Sequence, residues 1–280
     1  MTKRILITGS NGFIGRNLKS ELQKKGYQVE DFNTEQGDIA DTKLEYKNIS
    51  HVFHLAGKSF VPDSWKYPEE FKRVNVEGTR NVLEFCKENR VSLTFISSYV
   101  YGTPKMLPIN EMHPINAFNP YAESKILAEE LCNFYIKEFQ LPVAIIRPFN
   151  IYGKNQPEHF LIPEIIKQAT DDSYSQITLM DLAPKRDYLY MDDFIKALIL
   201  LYEKDKQGIF NIGSGYSMSV QEIVDTIMAV SGRKKDVLSK SEVRKNEVSD
   251  VVADITKITS ETGWIPETTF SDGIRQILNS

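Results

Sequence analysis

The sequence has few cysteines and no long apolar run, and both shortages limit what the protein can be. Cys86 and Cys132 are its two cysteines in 280 residues, each within a predicted amphipathic helix, which excludes a disulfide framework and indicates a reducing compartment. The longest apolar stretch, Ala197–Tyr202, is far too short to cross a bilayer. Because a strand-like segment begins at residue 3, we expect no signal peptide. These features predict a cytoplasmic protein with no membrane partner.

The sequence also lacks an excess of one charge and a metal-binding pattern. Its 34 basic and 38 acidic residues give a formal net charge of −4 without a basic stripe, so nucleic acid is not an expected partner. The four histidines, at 51, 54, 113 and 159, are too scattered for metal-ligand spacing, and we predict no metal site. A chain of this length with 41% hydrophobic residues can form one large or two modest domains.

Three glycines follow the first apolar segment at a regular spacing. Lys3–Thr8 is short, branched and apolar, which predicts a buried parallel strand, and residues 18–25 have helical periodicity. Gly9, Gly12 and Gly15 lie near or between these elements. Glycine permits a positive φ and a close approach to the backbone, and the N–H groups of a helix N-terminus favour a phosphate. The pattern therefore predicts a dinucleotide-binding turn.

Strand-like and helix-like segments alternate through the first half of the chain. The predicted strands after the first are 51–57, 92–98 and 142–148, and the predicted helices are 68–90, 121–139 and a segment from about 162. This alternation predicts an α/β fold with a Rossmann-type, doubly wound parallel sheet over 1–150. Residues 151–280 are predicted to form a smaller C-terminal substrate-binding lobe without an independent core, and some later segments return to the first domain.

A tyrosine and a lysine four residues apart are the strongest chemical signal. Tyr121 and Lys125 lie on one face of a predicted helix. A phenol has a pKa of about 10, and a neighbouring ammonium lowers it, which favours proton exchange with a substrate oxygen. Ser97 and Ser98 end a predicted buried strand and can supply a hydroxyl to the same oxygen.

Other polar residues have simpler interpretations. His54 ends a predicted strand, and we expect it to be buried and hydrogen-bonded to backbone rather than to act as a base. The acidic pairs at 129–130 and 192–193 are expected to lie on solvated helix faces rather than to form carboxylate dyads.

Taken together, the glycine turn, the strand-end Ser97 and the Tyr121-x-x-x-Lys125 pattern resemble the extended short-chain dehydrogenase/reductase family over essentially the whole chain. Within it, the chain is similar to the nucleotide-sugar epimerase/dehydratase/reductase branch. The segments QPEHFLIPEIIKQ, MDLAPKRDYLYMDD and TGWIPETTF are most similar to GDP-4-keto-6-deoxy-D-mannose reductases. The resemblance implies an NAD(H) or NADP(H) cofactor and a nucleotide-diphosphate sugar substrate. It also implies a homodimer through a four-helix contact of helices 68–90 and 121–139.

The resemblance also implies roles for individual residues. Ser97 would orient the reacting oxygen, Tyr121 would exchange a proton with it, and Lys125 would lower the pKa of the phenol and bind the nicotinamide ribose. The implied cofactor contacts are Gly9, Gly12, Phe13, Ile14, Gly15, Asn33, Asp38, Ile39, Leu55, Ala56, Gly57, Asn75, Tyr121, Lys125 and Pro148. The implied substrate contacts are Ser98, Asn150, Arg186 and Arg244, of which the two arginines would hold the diphosphate in bidentate geometry.

The sequence leaves the choice between NAD and NADP open. An acidic residue about 18–20 positions after the glycines usually binds the adenosine ribose and selects NAD, but Asn33 occupies that place here. An amide does not repel a 2′-phosphate, whereas the nearby Glu35 would disfavour one.

The residues after Ser97 bear on the reaction type. The 4,6-dehydratases of this branch resemble one another in having an Asp-Glu pair after the catalytic hydroxyl, but Ser98 and Tyr99 stand here. We therefore expect a 4-ketoreductase, with a 4-epimerase that retains its cofactor as the alternative. A non-catalytic dinucleotide sensor is less favoured because the tyrosine and lysine are both present. The nucleotide base and the sugar stay open.

Overall fold

A six-stranded parallel sheet forms the centre of the molecule. The computed structural model describes residues 3–242 and 248–279. The strands lie in the order β2–β1–β3–β4–β5–β9, and every neighbouring pair is parallel. Their bounds are β1 Arg4–Thr8, β2 Gln28–Phe32, β3 Ile49–His54, β4 Ser92–Ile96, β5 Val143–Pro148 and β9 Gly208–Ile212. Because β9 pairs with β5, a late segment of the chain completes the first sheet.

Helices cover both faces of this sheet. Successive side chains of β1 point to opposite faces, so Ile5 and Ile7 pack in one apolar cluster and Leu6 in the other. The first cluster lies under α1 (Phe13–Lys24), α7 (Met191–Glu203) and α9 (Thr256–Thr262), and the second under α4 (Gly78–Asn89) and α5 (Pro120–Phe139). The arrangement is the doubly wound Rossmann-type fold that the sequence predicts.

The predicted helix over 68–90 is divided in the structure. It consists of α3 (Pro68–Lys72), a π-helical turn (Arg73–Glu77) and α4, and α2 (Val61–Lys66) precedes it. The extra residue per turn of a π-helix shifts the side chains that follow, and such turns are frequent at functional sites. Asn75 lies at the centre of this one.

The C-terminal lobe has small sheets and an apolar cluster of its own. Strands β8 (Lys185–Tyr190), β10 (Ser217–Ser219) and β12 (Asp250–Val251) form one sheet, to which β6 (Asn150–Tyr152) adds, and β7 (Gln176–Leu179) pairs with β11 (Asp236–Ser239). The lobe's helices are α6 (Leu161–Thr170), α8 (Val220–Ser231) and α10 (Phe270–Leu278). Ile165, Ile177 and Ile223 are fully buried between them. The expectation that the lobe lacks a core is therefore wrong, because residues from distant segments combine to form one.

The described residues offer neither a membrane span nor a metal cluster. None of the helices that they form is sufficiently long and apolar to cross a bilayer. Nor do they bring together three His, Cys, Asp or Glu side chains in a group that could hold a metal ion.

Candidate active site

The glycine turn lies at the carboxyl end of β1 and opens into α1. Gly9 has φ +75° and its N–H donates to the carbonyl of Phe32 at 2.7 Å. A Cβ on Gly15 would lie 2.2 Å from the Gly9 oxygen, so the turn can close onto the helix only without a side chain there. Gly12 is the N-cap residue and provides no side-chain cap. The N–H groups at Phe13 and Ile14 therefore have no intrahelical acceptor and can bind an anion.

Asn33 lies beside the glycine turn at the end of β2. It is 8% exposed, and its Nδ2 donates to Ser10 Oγ at 3.3 Å while its Oδ1 accepts from the Glu35 N–H at 2.9 Å. Both ends of the amide therefore already have partners within the protein. The position that normally holds an acidic residue carries no charge here.

Asp38 and Ile39 lie in the loop between β2 and β3. Arg73 Nη2 donates to Asp38 Oδ2 at 2.5 Å, and this hydrogen bond is the main reason that the pKa of the Asp38 carboxyl is lowered. Ile39 is buried, and a Cβ on Gly78 would lie 2.8 Å from its Cγ2. The pair connects the β2–β3 loop to the helices above it.

Leu55, Ala56 and Gly57 follow β3 directly; Leu55 and Ala56 lie against the glycine turn, and Gly57 lies against Asn75. A Cβ on Gly9 would lie 2.6 Å from the Ala56 nitrogen, so two backbones are in close contact here. Asn75 holds the next residue: its Oδ1 accepts from the Lys58 N–H at 2.8 Å and its Nδ2 donates to the Lys58 carbonyl at 3.0 Å. The same Nδ2 donates to Ser124 Oγ on α5 at 2.9 Å.

His54 is buried, as predicted, but its partners differ from the prediction. Its Nδ1 lies 2.7 Å from Thr8 Oγ1 and its Nε2 lies 3.1 Å from Thr79 Oγ1. The predicted backbone partner is wrong, because two threonine hydroxyls on neighbouring elements reach the ring first. Burial lowers the pKa of His54 to about 3, so the neutral imidazole accepts a proton too weakly to serve as a catalytic base at pH 7.

Tyr121 and Lys125 lie on α5, which begins at a well-formed cap. The Asn119 side chain accepts from the Ala122 N–H at 2.8 Å, and a proline occupies the first helical position. Lys125 is 7% exposed, and its Nζ donates to the Ile96 carbonyl at the end of β4 at 2.7 Å. Burial lowers the pKa of Lys125 to about 8.

The pKa of Tyr121 moves in the direction opposite to the expectation. Burial raises it to about 12, and the neighbouring Ser98 hydroxyl lowers it by a smaller amount. Lys125 does not depress it, because the ammonium is directed to the Ile96 carbonyl and lies 4.8 Å from the centre of the Phe95 ring. The phenol is therefore protonated at neutral pH in this structure.

The two serines at the end of β4 point to different partners. Ser97 Oγ donates to the buried Glu129 Oε1 at 2.5 Å, whereas Ser98 is the serine whose hydroxyl acts on Tyr121. The Ser98 Oγ is buried and has no hydrogen-bond partner among the residues that the structure describes. Ser98, assigned from the sequence to the substrate, is thus the hydroxyl beside the phenol.

Two of the residues assigned to the substrate, Asn150 and Arg186, lie around the start of the lobe, and Pro148 of the cofactor set directly precedes it. Pro148 ends β5, and Asn150 Nδ2 donates to the Asp187 carbonyl at 3.0 Å. Arg186 Nη1 donates to the carbonyls of Lys185 and Val248 at 2.7 and 2.5 Å. Burial raises the pKa of the Tyr99 phenol, and the Arg186 guanidinium lowers it by a smaller amount. The guanidinium therefore lies near Tyr99, which follows β4. Arg244 lies outside the described residues.

Two acidic residues that were expected on solvated faces are buried. Glu129 is 2% exposed and pairs with Arg147, and Asp193 is 0% exposed and accepts from the Glu267 and Thr268 N–H groups. The expectation is wrong for these two because each has a partner from a distant segment. A signal for the first was present in the sequence: Arg147 lies within an apolar strand, where a charged side chain needs a counter-ion.

Comparisons with known proteins agree with this geometry. The family model described as GDP-mannose 4,6 dehydratase matches residues 29–277. A putative UDP-glucose 4-epimerase of Methanocaldococcus jannaschii is 32% identical over 98% of this chain and 97% of its own. The GDP-6-deoxy-D-mannose reductase of Pseudomonas aeruginosa is 28% identical over 100% and 97%. The structure of RMD from the same organism, complexed with NADPH, has a TM-score of 0.90 at 27% identity, covering 99% of this chain and 98% of that one.

These matches confirm the family and the fold that the sequence predicts. They include an epimerase and a reductase, so they agree on the class of enzyme but differ on the reaction. The chain belongs to the GDP-mannose 4,6-dehydratase family of extended short-chain dehydrogenase/reductases, which are NAD(P)-dependent enzymes of nucleotide sugars.

Proposed function

We propose that the protein is an NAD(P)H-dependent 4-ketoreductase of a nucleotide-diphosphate 4-keto-6-deoxyhexose. The observation that carries the proposal is the placement of the Tyr121 phenol beside the Ser98 hydroxyl, near the carboxyl ends of the strands, where the glycine turn also lies. A carbonyl that is reduced to an alcohol needs a proton on its oxygen, and a phenol that keeps its proton at pH 7 is suited to donate one.

The residues around the turn fit a dinucleotide. The side-chain-free contact of Gly9 with Ala56 and the uncapped N-terminus of α1 suit a diphosphate. When bound, the cofactor supplies the hydride. Asn33, Asp38 and Ile39 would lie along its adenosine half, and the other half would lie near Asn75 and Lys125, at the start of α5.

The chain's own residues would then supply the proton and the orientation. Tyr121 donates its phenolic proton to the carbonyl oxygen, and Ser98 donates a hydrogen bond to the same oxygen. Lys125 holds the ribose of the cofactor. Removing one such hydrogen-bond donor from a developing oxyanion lowers the rate by about 10²–10³, which is the effect expected for loss of the Ser98 hydroxyl.

The geometry argues against a dehydratase. The segment from Ser97 to Gly102, which ends β4 and leads from it, contains no carboxyl group. Tyr99 stands where the acid pair would lie, and its hydroxyl donates to the Gly102 carbonyl at 2.5 Å. The carboxylate of Glu129 is near, but Arg147 and Ser97 occupy it.

A 4-epimerase is the second candidate, favoured by the 32% identity to the putative UDP-glucose 4-epimerase. Epimerisation uses the same phenol in both protonation states, because it first removes a proton from a sugar hydroxyl and later returns one, so Tyr121 does not separate the two reactions. It also needs a cofactor that stays bound. Asn33, whose amide is engaged within the protein, supplies no carboxylate to the adenosine ribose, which supports an exchangeable cofactor and hence the reductase.

The lobe would hold the nucleotide sugar. Asn150 begins β6 and Arg186 lies in β8, two paired strands of the lobe, and Arg186 acts electrostatically on Tyr99, which follows β4. We expect Arg186, together with Arg244, to bind the diphosphate by charge-assisted hydrogen bonds.

A second copy of the chain is the expected protein partner. Helix α5 exposes Leu127, Phe134 and Phe139, of which Phe134 is 53% exposed. Apolar side chains on the outer face of α5, next to α4, suit a contact between two such helix pairs. Light scattering that gives the mass of one chain would contradict this.

The proposed activity is tested by supplying the purified protein with GDP-4-keto-6-deoxy-D-mannose and with a dTDP-4-keto-6-deoxyhexose, each with NADPH or NADH. We expect loss of reduced-nicotinamide absorbance in proportion to the 4-hydroxy sugar formed. Interconversion of two finished nucleotide sugars without added cofactor would favour the epimerase instead. Binding of the dinucleotide with no turnover of any sugar would indicate a non-catalytic protein.

A further inference from the structure

A buried ion pair lies directly beneath the proposed catalytic residues and has no part in the chemistry described above. Glu129 follows Lys125 by four residues on α5, so the two side chains share a face of the helix. Its partner is Arg147 of β5, and the two side chains are 3% and 2% exposed.

The ion pair ties three elements together. Arg147 Nη2 donates to Glu129 Oε2 at 2.6 Å, and Arg147 Nε donates to Oε1 at 3.0 Å, which makes the contact bidentate. Ser97 Oγ donates to the same Oε1 from the end of β4. One helical turn earlier, Lys125 binds the Ile96 carbonyl. The end of β4 is thus fastened to α5 at two successive residues.

The network continues beyond the ion pair. Arg147 Nη1 donates to the Tyr101 hydroxyl at 3.1 Å, and that hydroxyl donates to Asn211 Oδ1 of β9 at 2.6 Å. The Asn211 N–H donates to Glu111 Oε1 at 2.9 Å. The connection that leads from β4 to α5 is therefore held at Ser97, Tyr101 and Glu111 by the same chain of contacts.

Stability alone does not account for this arrangement. Two buried charges pay a large desolvation cost, and well-packed apolar residues of similar volume stabilise a protein as well or better. What a bidentate pair adds is a fixed geometry, because its hydrogen bonds are satisfied in only one relative placement of α5 and the strands.

We propose that Glu129 and Arg147 are positioning residues that fix the end of β4 against α5, so that Ser98 rather than Ser97 faces Tyr121. The proposal rests on the proposed function, since it assigns a purpose to the placement of Ser98 and Tyr121. The engagement of Ser97 by Glu129 leaves the adjacent Ser98 as the hydroxyl that acts on the phenol.

The carboxylate also acts on Lys125. The titratable groups that face this ammonium include Glu129 and Cys132 on its own helix and His54 from β3, and Arg147 faces Glu129 from β5. Burial keeps the Cys132 thiol and the His54 ring neutral by raising the pKa of the first and lowering that of the second. Glu129 is therefore the charge that counters the desolvation of Lys125.

The test compares Glu129→Gln with Asp193→Asn. Both changes neutralise a buried carboxylate, but Asp193 contacts the 264–268 segment from α7. We expect Glu129→Gln to lower kcat on the order of 100-fold while KM for the sugar stays within about twofold, since a misplaced catalytic group costs about this much. We also expect the alkaline limb of the kcat–pH profile to move down by about one pH unit, because Lys125 loses its counter-charge. Asp193→Asn should change neither.

Two further variants keep the result interpretable. If Glu129→Gln does not fold, because Arg147 is then unpaired, the double variant Glu129→Gln/Arg147→Met removes both charges and should fold with the same kinetic defects. Glu129→Asp retains the charge and should restore the alkaline limb. Wild-type kcat and pH profile in the neutralised variants, or an equal kinetic loss in Asp193→Asn, would overturn the proposal.

Failure of the proposed function can be distinguished from failure of this inference. If the wild-type protein reduces no keto sugar, the alkaline limb is read from the pH dependence of the NADPH dissociation constant, which needs no turnover. The same downward movement in Glu129→Gln supports the positioning role, and superimposable binding profiles contradict it.

Discussion

Replacing each of the two adjacent serines, Ser97 and Ser98, by alanine in a separate variant distinguishes their roles. Ser98→Ala removes the hydroxyl that acts on Tyr121, whereas Ser97→Ala removes a donor to the buried Glu129 carboxylate. Although the two residues are neighbours in the sequence, one change should lower activity and the other should lower stability.

The structure sets the size of each effect. Loss of the Ser98 donor should lower kcat by about 10²–10³, the usual cost of one hydrogen bond to a developing oxyanion. Loss of the Ser97 hydrogen bond to a charged group should cost about 1.5–3 kcal/mol of unfolding free energy. At about 2–4 °C per kcal/mol, Ser97→Ala should lower Tm by several degrees. Its kcat should stay within about tenfold, because the bidentate contact from Arg147 still holds Glu129.

The assay pairs kcat and KM with a thermal melt of each variant. Ser92→Ala is the matched control. Ser92 begins the same strand, at the end away from the site, and its hydroxyl forms a hydrogen bond with His51 at 2.7 Å. A large loss of kcat in Ser97→Ala at unchanged Tm, with near-normal activity in Ser98→Ala, would refute this reasoning and restore Ser97 as the catalytic hydroxyl.

Three other changes have defined outcomes. Tyr121→Phe should lower kcat by about 10²–10⁴ while the NADPH dissociation constant stays within about threefold; near-normal turnover would contradict the role of the phenol. Because burial lowers the pKa of Lys125 to about 8, the ammonium is lost as pH rises through that value. The kcat/KM should therefore fall above about pH 8, and a profile flat to pH 10 would exclude a required charge on this lysine. Gly15→Ala places a Cβ 2.2 Å from the Gly9 oxygen. It should weaken dinucleotide binding at least about tenfold by titration calorimetry, and unchanged binding would show that the turn does not hold the cofactor.

The features predicted well from the sequence are those that neighbouring residues determine. The glycine turn, the strand before it, the helix after it and the helix over 121–139, observed at Pro120–Phe139, each have a local periodicity or a capping signal. The alternation of these elements then restricts the topology to a doubly wound sheet, because parallel strands need crossovers of one hand.

The features predicted poorly depend on contacts between distant segments. Glu129 looks like a surface residue until Arg147, from another element, is placed beside it. The choice between Ser97 and Ser98 depends on how the end of β4 turns above α5, which no periodicity specifies. The shift of the Tyr121 pKa likewise depends on burial by surrounding elements rather than on the nearby lysine.

The most direct test of the central claim is a single turnover with NADPH carrying deuterium on its transferable position and an excess of enzyme over GDP-4-keto-6-deoxy-D-mannose, or over the dTDP-keto sugar if that is the one consumed. We predict that one deuterium appears at C4 of the product for each cofactor oxidised, and that Tyr121→Phe stops this transfer. Product without deuterium, or interconversion of hydroxy sugars with no net oxidation of the cofactor, would contradict the account.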